Sequence, residues 1–356
     1  MVVYADDRLF PEIMRMWKIC FEDSDEFMDI YFRTKYRNEN TLVKVVDEKA
    51  VASLQMLPYD MTFGKKRIQT AYISGACTLP EERNKRYMEE LLHAAFTEMK
   101  KHQIPLTILI PQGNGVVGFY EKFGYTAMFD TKEQIIELPE NMREGGCVVK
   151  EAEMKDVPAV ANFCNRIFGK KDLTIQKTTE DWGAVFEDCF FSDGKIFMAR
   201  HGNQLTGVCF TRREENRLVI KNLLTENELS GLCLLSSVAN TYRVSGAVLV
   251  AESGGEGAQP LGMARIVDAE KMLEQYAMKQ PRLQFSVKVI DKQLAWNNKT
   301  YRVHSGKCTE ANAGVPDFEL SVGLLTRLLL GYRVDELPSE YHIFPSENAV
   351  MSLMME

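Results

Sequence analysis

Three cations fall within four residues at Arg83, Lys85 and Arg86, just ahead of a helical run of apolar residues. The start of a helix presents unpaired backbone N–H groups and a partial positive charge, a natural seat for a diphosphate. Cations at that end oppose the helix dipole, so their clustering points to a compensating anion. A second stretch is acidic: Glu22-Asp23-Ser24-Asp25-Glu26. It reads either as a solvated loop carrying helix caps or as one wall of a site for a cationic substrate. Other reactive types are scattered. The eight cysteines include no CxxC pair and sit mostly in apolar runs, as buried reduced thiols do. The five histidines are also isolated, so the sequence predicts no metal site.

The elements that would hold these groups follow from periodicity. Phe10, Ile13, Met14 and Trp17 recur on one helical face, and Asp6 or Asp7 could cap that helix. Phe27, Ile30 and Tyr31 predict a shorter helix after Asp25. Strands are expected at 41–46, 51–57, 60–63 and 68–78. Met88, Leu91, Leu92, Ala95, Phe96 and Met99 then mark the clearest amphipathic helix in the chain. A wholly apolar strand at 106–110 should be buried on both faces. A short helix at 116–122 ends at Gly124, and a strand returns at 125–136. Beyond a polar linker at 138–147 a similar order recurs: strand 148–152, a helix opening at Val157, strands at 194–200, 205–213 and 218–224, a helix opening at Leu229, and strand 247–251. Glu226-Asn227-Glu228 precedes that later helix, and acidic residues repel phosphate. Farther on, 283–289 and 301–303 predict a hairpin turning at Asn297-Asn298, and 318–332 reads as a strand running into a helix.

At 356 residues the chain has room for two or three domains. Its 45% hydrophobic, 26% charged and 10% aromatic content excludes disordered, collagen-like and disulfide-scaffold classes. With 43 basic and 50 acidic residues the net charge is −7, which argues against a nucleic-acid partner and tolerates cationic ligands. No apolar run is long enough to span a membrane, and residues 1–30 show no secretory leader. The expectation is a cytoplasmic protein with no membrane partner.

The element order of the first half and two local motifs resemble the GNAT superfamily of N-acetyltransferases. One motif is the strand–loop–helix from Ala76-Cys77-Thr78 through Arg83-Asn84-Lys85-Arg86-Tyr87-Met88; the other is Phe119-Tyr120-Glu121-Lys122-Phe123-Gly124-Tyr125. The resemblance implies an α/β (α+β) fold with mixed central sheets and acetyl-CoA (CoA) as cofactor. Its binding segment would comprise Ala76, Cys77, Thr78, Arg83, Asn84, Lys85, Arg86, Tyr87 and Met88, with Asn114 bonding the pantetheine arm. Tyr120 stands where the superfamily often has a tyrosine beside the thioester sulfur, and an expelled thiolate needs a proton. One departure is Arg86, where the family loop has its first glycine. It either crowds the pyrophosphate or pairs with a phosphate.

The runs Gly262-Met263-Ala264-Arg265-Ile266-Val267-Asp268 and Leu324–Tyr332 are similar to those of Eis-type (enhanced intracellular survival) acetyltransferases. That resemblance implies a GNAT acetyltransferase domain at 1–140, a second, degenerate GNAT-like lobe at 147–270 and a sterol-carrier-protein-like domain at 280–356. It also implies acetyl transfer by direct attack of a primary amine, on a polyamine-like small molecule or a lysine, in an enzyme that assembles as a homo-oligomer. The competing readings are a non-catalytic acyl-CoA- or protein-binding module and a lipid-binding protein. The sequence closes on Ala349-Val350-Met351-Ser352-Leu353-Met354-Met355-Glu356, a segment apolar enough to be buried. In Eis-type enzymes a terminal carboxylate reaches the active site of the first lobe. The resemblance therefore gives Glu356 a catalytic role, through its α-carboxylate or its side chain; the alternative is a tail that only packs domains together.

Overall fold

The computed structural model describes residues 1–139, 147–214, 217–251, 254–311 and 314–351. Glu356 and most of the expected linker at 138–147 lie outside the described residues. The first lobe contains β1 (Val2–Tyr4), α1 (Phe10–Phe21), α2 (Asp25–Thr34), β2 (Thr41–Val46), β3 (Lys49–Phe63), β4 (Lys66–Thr78), α3 (Tyr87–Lys101), β5 (Leu106–Leu109), α4 (Val117–Lys122) and β6 (Thr126–Glu137). The apolar stripe of α3 is buried from Leu91 onward, with Met88 half-buried, and every residue of β5 is buried. Asp6 does not cap α1 itself; it accepts the N–H groups of Arg8 and Leu9, both at 3.0 Å, in the turn ahead of it. The runs at 51–57 and 60–63 are one strand. Pairing with β2 stops at Gln55, so nothing on that edge asks for a donor at exposed Pro58.

The second lobe contains β7 (Val148–Glu151), α5 (Val157–Phe168), β8 (Ile175–Gln176), α6 (Thr179–Phe191), β9 (Lys195–His201), β10 (Gln204–Glu214), β11 (Arg217–Thr225), α7 (Glu228–Tyr242), β12 (Gly246–Ala251) and β13 (Gln259–Ile266). Periodicity did not reveal α6. It packs against α2, and the ion pairs Arg33–Glu187, Lys35–Asp181 and Arg37–Glu180 fasten the lobes there.

The sheets of the two lobes are continuous, in the order β1-β2-β3-β4-β5-β13-β6-β12-β11-β10-β9-β7. Two features make them so. β6 pairs with β13 over its first half and with β12 over its second. β13 inserts antiparallel between β5 and β6, so a late segment completes the first lobe's sheet.

The last region adds α8 (Ala269–Lys279), β14 (Phe285–Ile290), β15 (Thr300–His304), β16 (Lys307–Glu310), β17 (Phe318–Ser321) and α9 (Val322–Leu329), with the strands ordered β16-β15-β14-β17. Its core is not separate: Leu325 and Leu328 share one apolar cluster with Tyr59, Ile108 and Phe129. A fully buried ion pair adds to the seam. Arg265 on β13 reaches both oxygens of Asp291 at 2.9 and 2.8 Å, donates to the carbonyls of Ile266 and Phe123, and lies 4.5 Å from the Phe96 ring centroid. Asp130 on β6 similarly accepts from Tyr332 and Arg333. The described chain ends in a buried strap, in which Val350 exchanges backbone bonds with Leu173 and Ile175, each at 2.9 Å. No described helix is long and apolar enough to cross a membrane.

Candidate active site

β4 and β5 are parallel but pair only from Thr70–Tyr72 to Leu106–Ile108. Past Tyr72, β4 stays paired to β3, so Ile73–Thr78 turns a free edge toward a wedge that opens beside the end of β5. The β3–β4 register slips inside this stretch: Ser53 faces Cys77, but Gln55 faces Ser74. Gly75 lies in the resulting bulge with φ +57°, and a Cβ there would sit 2.3 Å from the Trp17 ring, so backbone and space both call for glycine.

The strand leads to the start of α3. Asn84 and Arg86 adopt left-handed conformations, with φ 64° and 63°, and no side chain caps the helix. Arg86 thus takes the backbone shape that a glycine would take. Its side chain is 77% exposed and bonds Glu89 at 2.6 and 2.5 Å. Lys85 pairs with Glu82 at 2.8 Å, and Arg83 Nε lies 3.4 Å from the Thr78 carbonyl oxygen. A diphosphate fits this set: uncapped N–H groups on a 15-residue helix, a preceding turn with two left-handed residues, and cations held only by weak surface pairs. The corresponding end of α7 is closed, because Asn227 accepts the Ser230 N–H at 2.9 Å and Glu226 pairs with Arg166.

Ala76, Tyr87, Met88 and Tyr120 all pack on the apolar cluster under α3. Tyr120, on α4, lies against Phe119 and Tyr125, with ring centroids 5.3 and 5.6 Å away. Its hydroxyl has no hydrogen-bond partner among the described residues. Burial pushes the phenol up to about 12, so it keeps its proton at neutral pH. Asn114 lies in the short turn Asn114–Val116 just ahead of α4.

The opposite flank of β4 carries polar groups that sequence reasoning passed over. Tyr31 Oη lies 2.6 Å from Ser74 Oγ and donates to Gln55 Oε1 at 3.2 Å. Trp17 Nε1 donates to Asp23 at 2.7 Å, and its ring lies 4.4 Å from that of Tyr31. The sequence signal was weak, because Gln55 and Ser74 are two of several polar residues in these strands, beside Ser53, Gln69 and Thr70. Asp23 lines a cleft of about 580 Å³ between the lobes, with Phe27, Ile110, Asp188, Thr211 and Met351. Asp25, from the same acidic loop, pairs with Lys18 instead. The carboxylate of Asp188, on the unforeseen α6, makes no hydrogen bond or ion pair with any described residue. Burial raises its carboxyl above the usual range, against the pull of Arg212 and Lys221.

Comparison with known proteins bears on the domains and the fold. Residues 2–128 match the acetyltransferase (GNAT) domain, and residues 269–339 match the sterol carrier protein domain. No curated protein matches the chain in sequence. Among solved structures, a GCN5-related N-acetyltransferase from Anabaena variabilis superposes with a TM-score of 0.81 at 17% identity, covering 99% of this chain and 98% of that one. A GCN5-related N-acetyltransferase from Kribbella flavida gives 0.77 at 13% identity, covering 99% and 97%. Eis1 from Mycobacterium abscessus gives 0.76 at 14% identity, covering all of both chains. The chain carries a GNAT acetyltransferase domain joined, through a second lobe on the same sheet, to a C-terminal sterol-carrier-protein-like domain.

Proposed function

We infer that the protein transfers an acetyl group from acetyl-CoA to a primary amine, on a polyamine-like small molecule or a lysine side chain. The observation that carries this reading is the wedge between β4 and β5, with the uncapped start of α3 at one end and a protonated, unpartnered Tyr120 packed on the same cluster. Bound acetyl-CoA supplies an activated thioester. The free edge of Ile73–Thr78 offers peptide groups to its arm, with Ala76, Cys77, Thr78 and Asn114 in its path. Arg83, Asn84, Lys85, Arg86, Tyr87 and Met88 take the diphosphate. Tyr120 holds a proton for the departing sulfur.

The acceptor enters from the inter-lobe cleft. Asp23 and Asp188, which both line it, favour a cation there, and among the described residues the Asp188 carboxylate makes no ion pair. The amine must lose a proton before or during attack. We assign that task to Glu356, through either of its carboxylates. The support is Met351, which lines the cleft with Asp23 and whose sulfur lies 2.6 Å from where a Cβ on Gly262 would stand, beside β5. Release of CoA thiol should depend on added amine when the full chain is presented with acetyl-CoA and a panel of polyamines and lysine peptides. Thiol release indifferent to every amine would overturn the reading.

A further inference from the structure

Two thiols meet beside the loop that leads into α3. Cys20, in the last turn of α1, is half-buried, and its Sγ lies 3.4 Å from the Thr78 carbonyl oxygen. Cys77, one residue before Thr78 on β4, is buried with its Sγ 3.5 Å from Ser53 Oγ. Both lie in one apolar cluster with Trp17 and Leu79, and each thiol perturbs the ionisation of the other. Arg83 completes the cluster: its Nε lies 3.4 Å from the same Thr78 oxygen, and its positive charge favours the Cys20 thiolate.

The surroundings make Cys20 the attacking sulfur. The Cys77 thiol, and then Arg83, lower it to about 7, overcoming burial and the adverse charge of Glu81. The same contact, with burial, raises Cys77. Burial pushes Cys189 and Cys308, by contrast, up to about 12. A thiol that ionises near ambient pH is the most effective attacker, and a protonated thiol beside it is placed to resolve the product.

We propose that Cys20 and Cys77 are a dithiol modification site, oxidised to an internal disulfide by low-molecular-weight disulfides. The Cys20 thiolate attacks one sulfur of R–S–S–R. That S–S bond breaks, one R–S⁻ leaves and takes a proton from solvent, and Cys20 is left in a mixed disulfide. Cys77 then gives its proton to solvent, attacks the Cys20 sulfur and expels the second R–S⁻. Two protein thiols are oxidised and R–S–S–R is reduced to two R–SH. The new bond ties the end of α1 to β4 at the mouth of the wedge. One consequence rests on the proposed CoA site: Arg83 serves either Cys20 or a diphosphate, so bound CoA slows the oxidation.

The test uses the reduced full-length chain with oxidised glutathione near neutral pH. Peptide mass mapping should find a Cys20–Cys77 cross-link as the dominant product. Cys77→Ala should stop at a stable glutathione adduct on Cys20, and Cys20→Ser should give neither product. In the wild type, the alkylation profile of Cys20 should have its midpoint near 7. Its reaction should run about 3- to 4-fold faster at neutral pH than an ordinary accessible thiol, from thiolate fraction and the compensating loss of nucleophilicity. A persistent Cys20 adduct in the wild type, a dominant cross-link elsewhere, or an ordinary midpoint of about 8.5 overturns the site. Cross-linking at an unchanged rate under saturating CoA keeps the site and removes the shared Arg83. Absence of the cross-link while CoA still binds overturns the dithiol site alone.

Discussion

Arg265→Met tests the seam between the first lobe and the sterol-carrier-like region. Both partners of the Arg265–Asp291 pair are fully buried. Removing the guanidinium leaves Asp291 with only neutral donors: the N–H groups of Gln293 and Leu294, at 3.0 and 3.1 Å, and Asn297 Nδ2, at 2.9 Å. An isolated buried charge of this kind costs about 3–5 kcal/mol. At roughly 2–4 °C per kcal/mol, the first thermal transition should fall by about 6–20 °C. Arg265→Met combined with Asp291→Leu removes both charges, so the pair of changes should cost less than the separate losses by about 2–3 kcal/mol. The double variant stays below wild type, because the Gln293 and Leu294 N–H groups lose their acceptor. Differential scanning calorimetry of the four proteins measures both quantities. The guanidinium also holds the Phe123 carbonyl, three residues past Tyr120, so the single variant should lose kcat at temperatures where it stays folded while CoA affinity holds. A fall of less than about 2 °C, or strictly additive losses, would mean that the seam does not depend on this pair.

Calorimetry should count one CoA site per chain, because α3 starts open and Asn227 closes α7; Arg83→Glu should weaken that site by roughly 1–3 kcal/mol, and two equal sites would contradict the closed end of α7. Tyr120→Phe should lower kcat by about 10²–10⁴-fold with CoA affinity unchanged. The acid form of Tyr120 is the useful one and its ionisation is raised, so its contribution persists below the folded value and is lost only as pH rises through about 12. A Tyr120-dependent limb near 10 in the kcat profile would place the phenol in water. Asp188→Asn should raise KM for a polyamine by about tenfold or more and leave CoA binding alone; an unchanged KM would remove Asp188 from the acceptor site. Deleting Glu356 should abolish transfer, whereas Glu356→Ala should retain it if the α-carboxylate acts, with CoA bound in both; full activity after deletion would leave the tail a packing role.

The parts of the site that were legible in sequence are local. Arg83, Lys85 and Arg86 stand next to the stripe of α3, and Tyr120 follows the buried β5 closely, so one pass along the chain brings them together. The features that escaped depend on distant pairing. The placement of β13 between β5 and β6 follows from no property of residues 259–266 alone. α6 buries Trp182, Ala184, Val185 and Phe186, a run lacking a single clean apolar stripe, because it is packed by α2, α5 and the sheet together. Asp188 was lost with that helix. The exchange of Arg86 for glycine could be seen in sequence, but its left-handed backbone could not, since arginine rarely adopts one.

The position of β13 also sets a clock. When β6 leaves the ribosome, β5 and β6 have no partner on their facing edges, and the strand that joins them comes roughly 130 residues later, about 6–26 s at ordinary rates of synthesis. Until then the nascent chain carries two open edges, whose unpaired backbone groups can recruit a strand from another molecule. Folding of the acetyltransferase half is therefore tied to translation of the whole second lobe. A ribosome stalled between residues 140 and 259 would hold a sheet with a gap that a chaperone must shield.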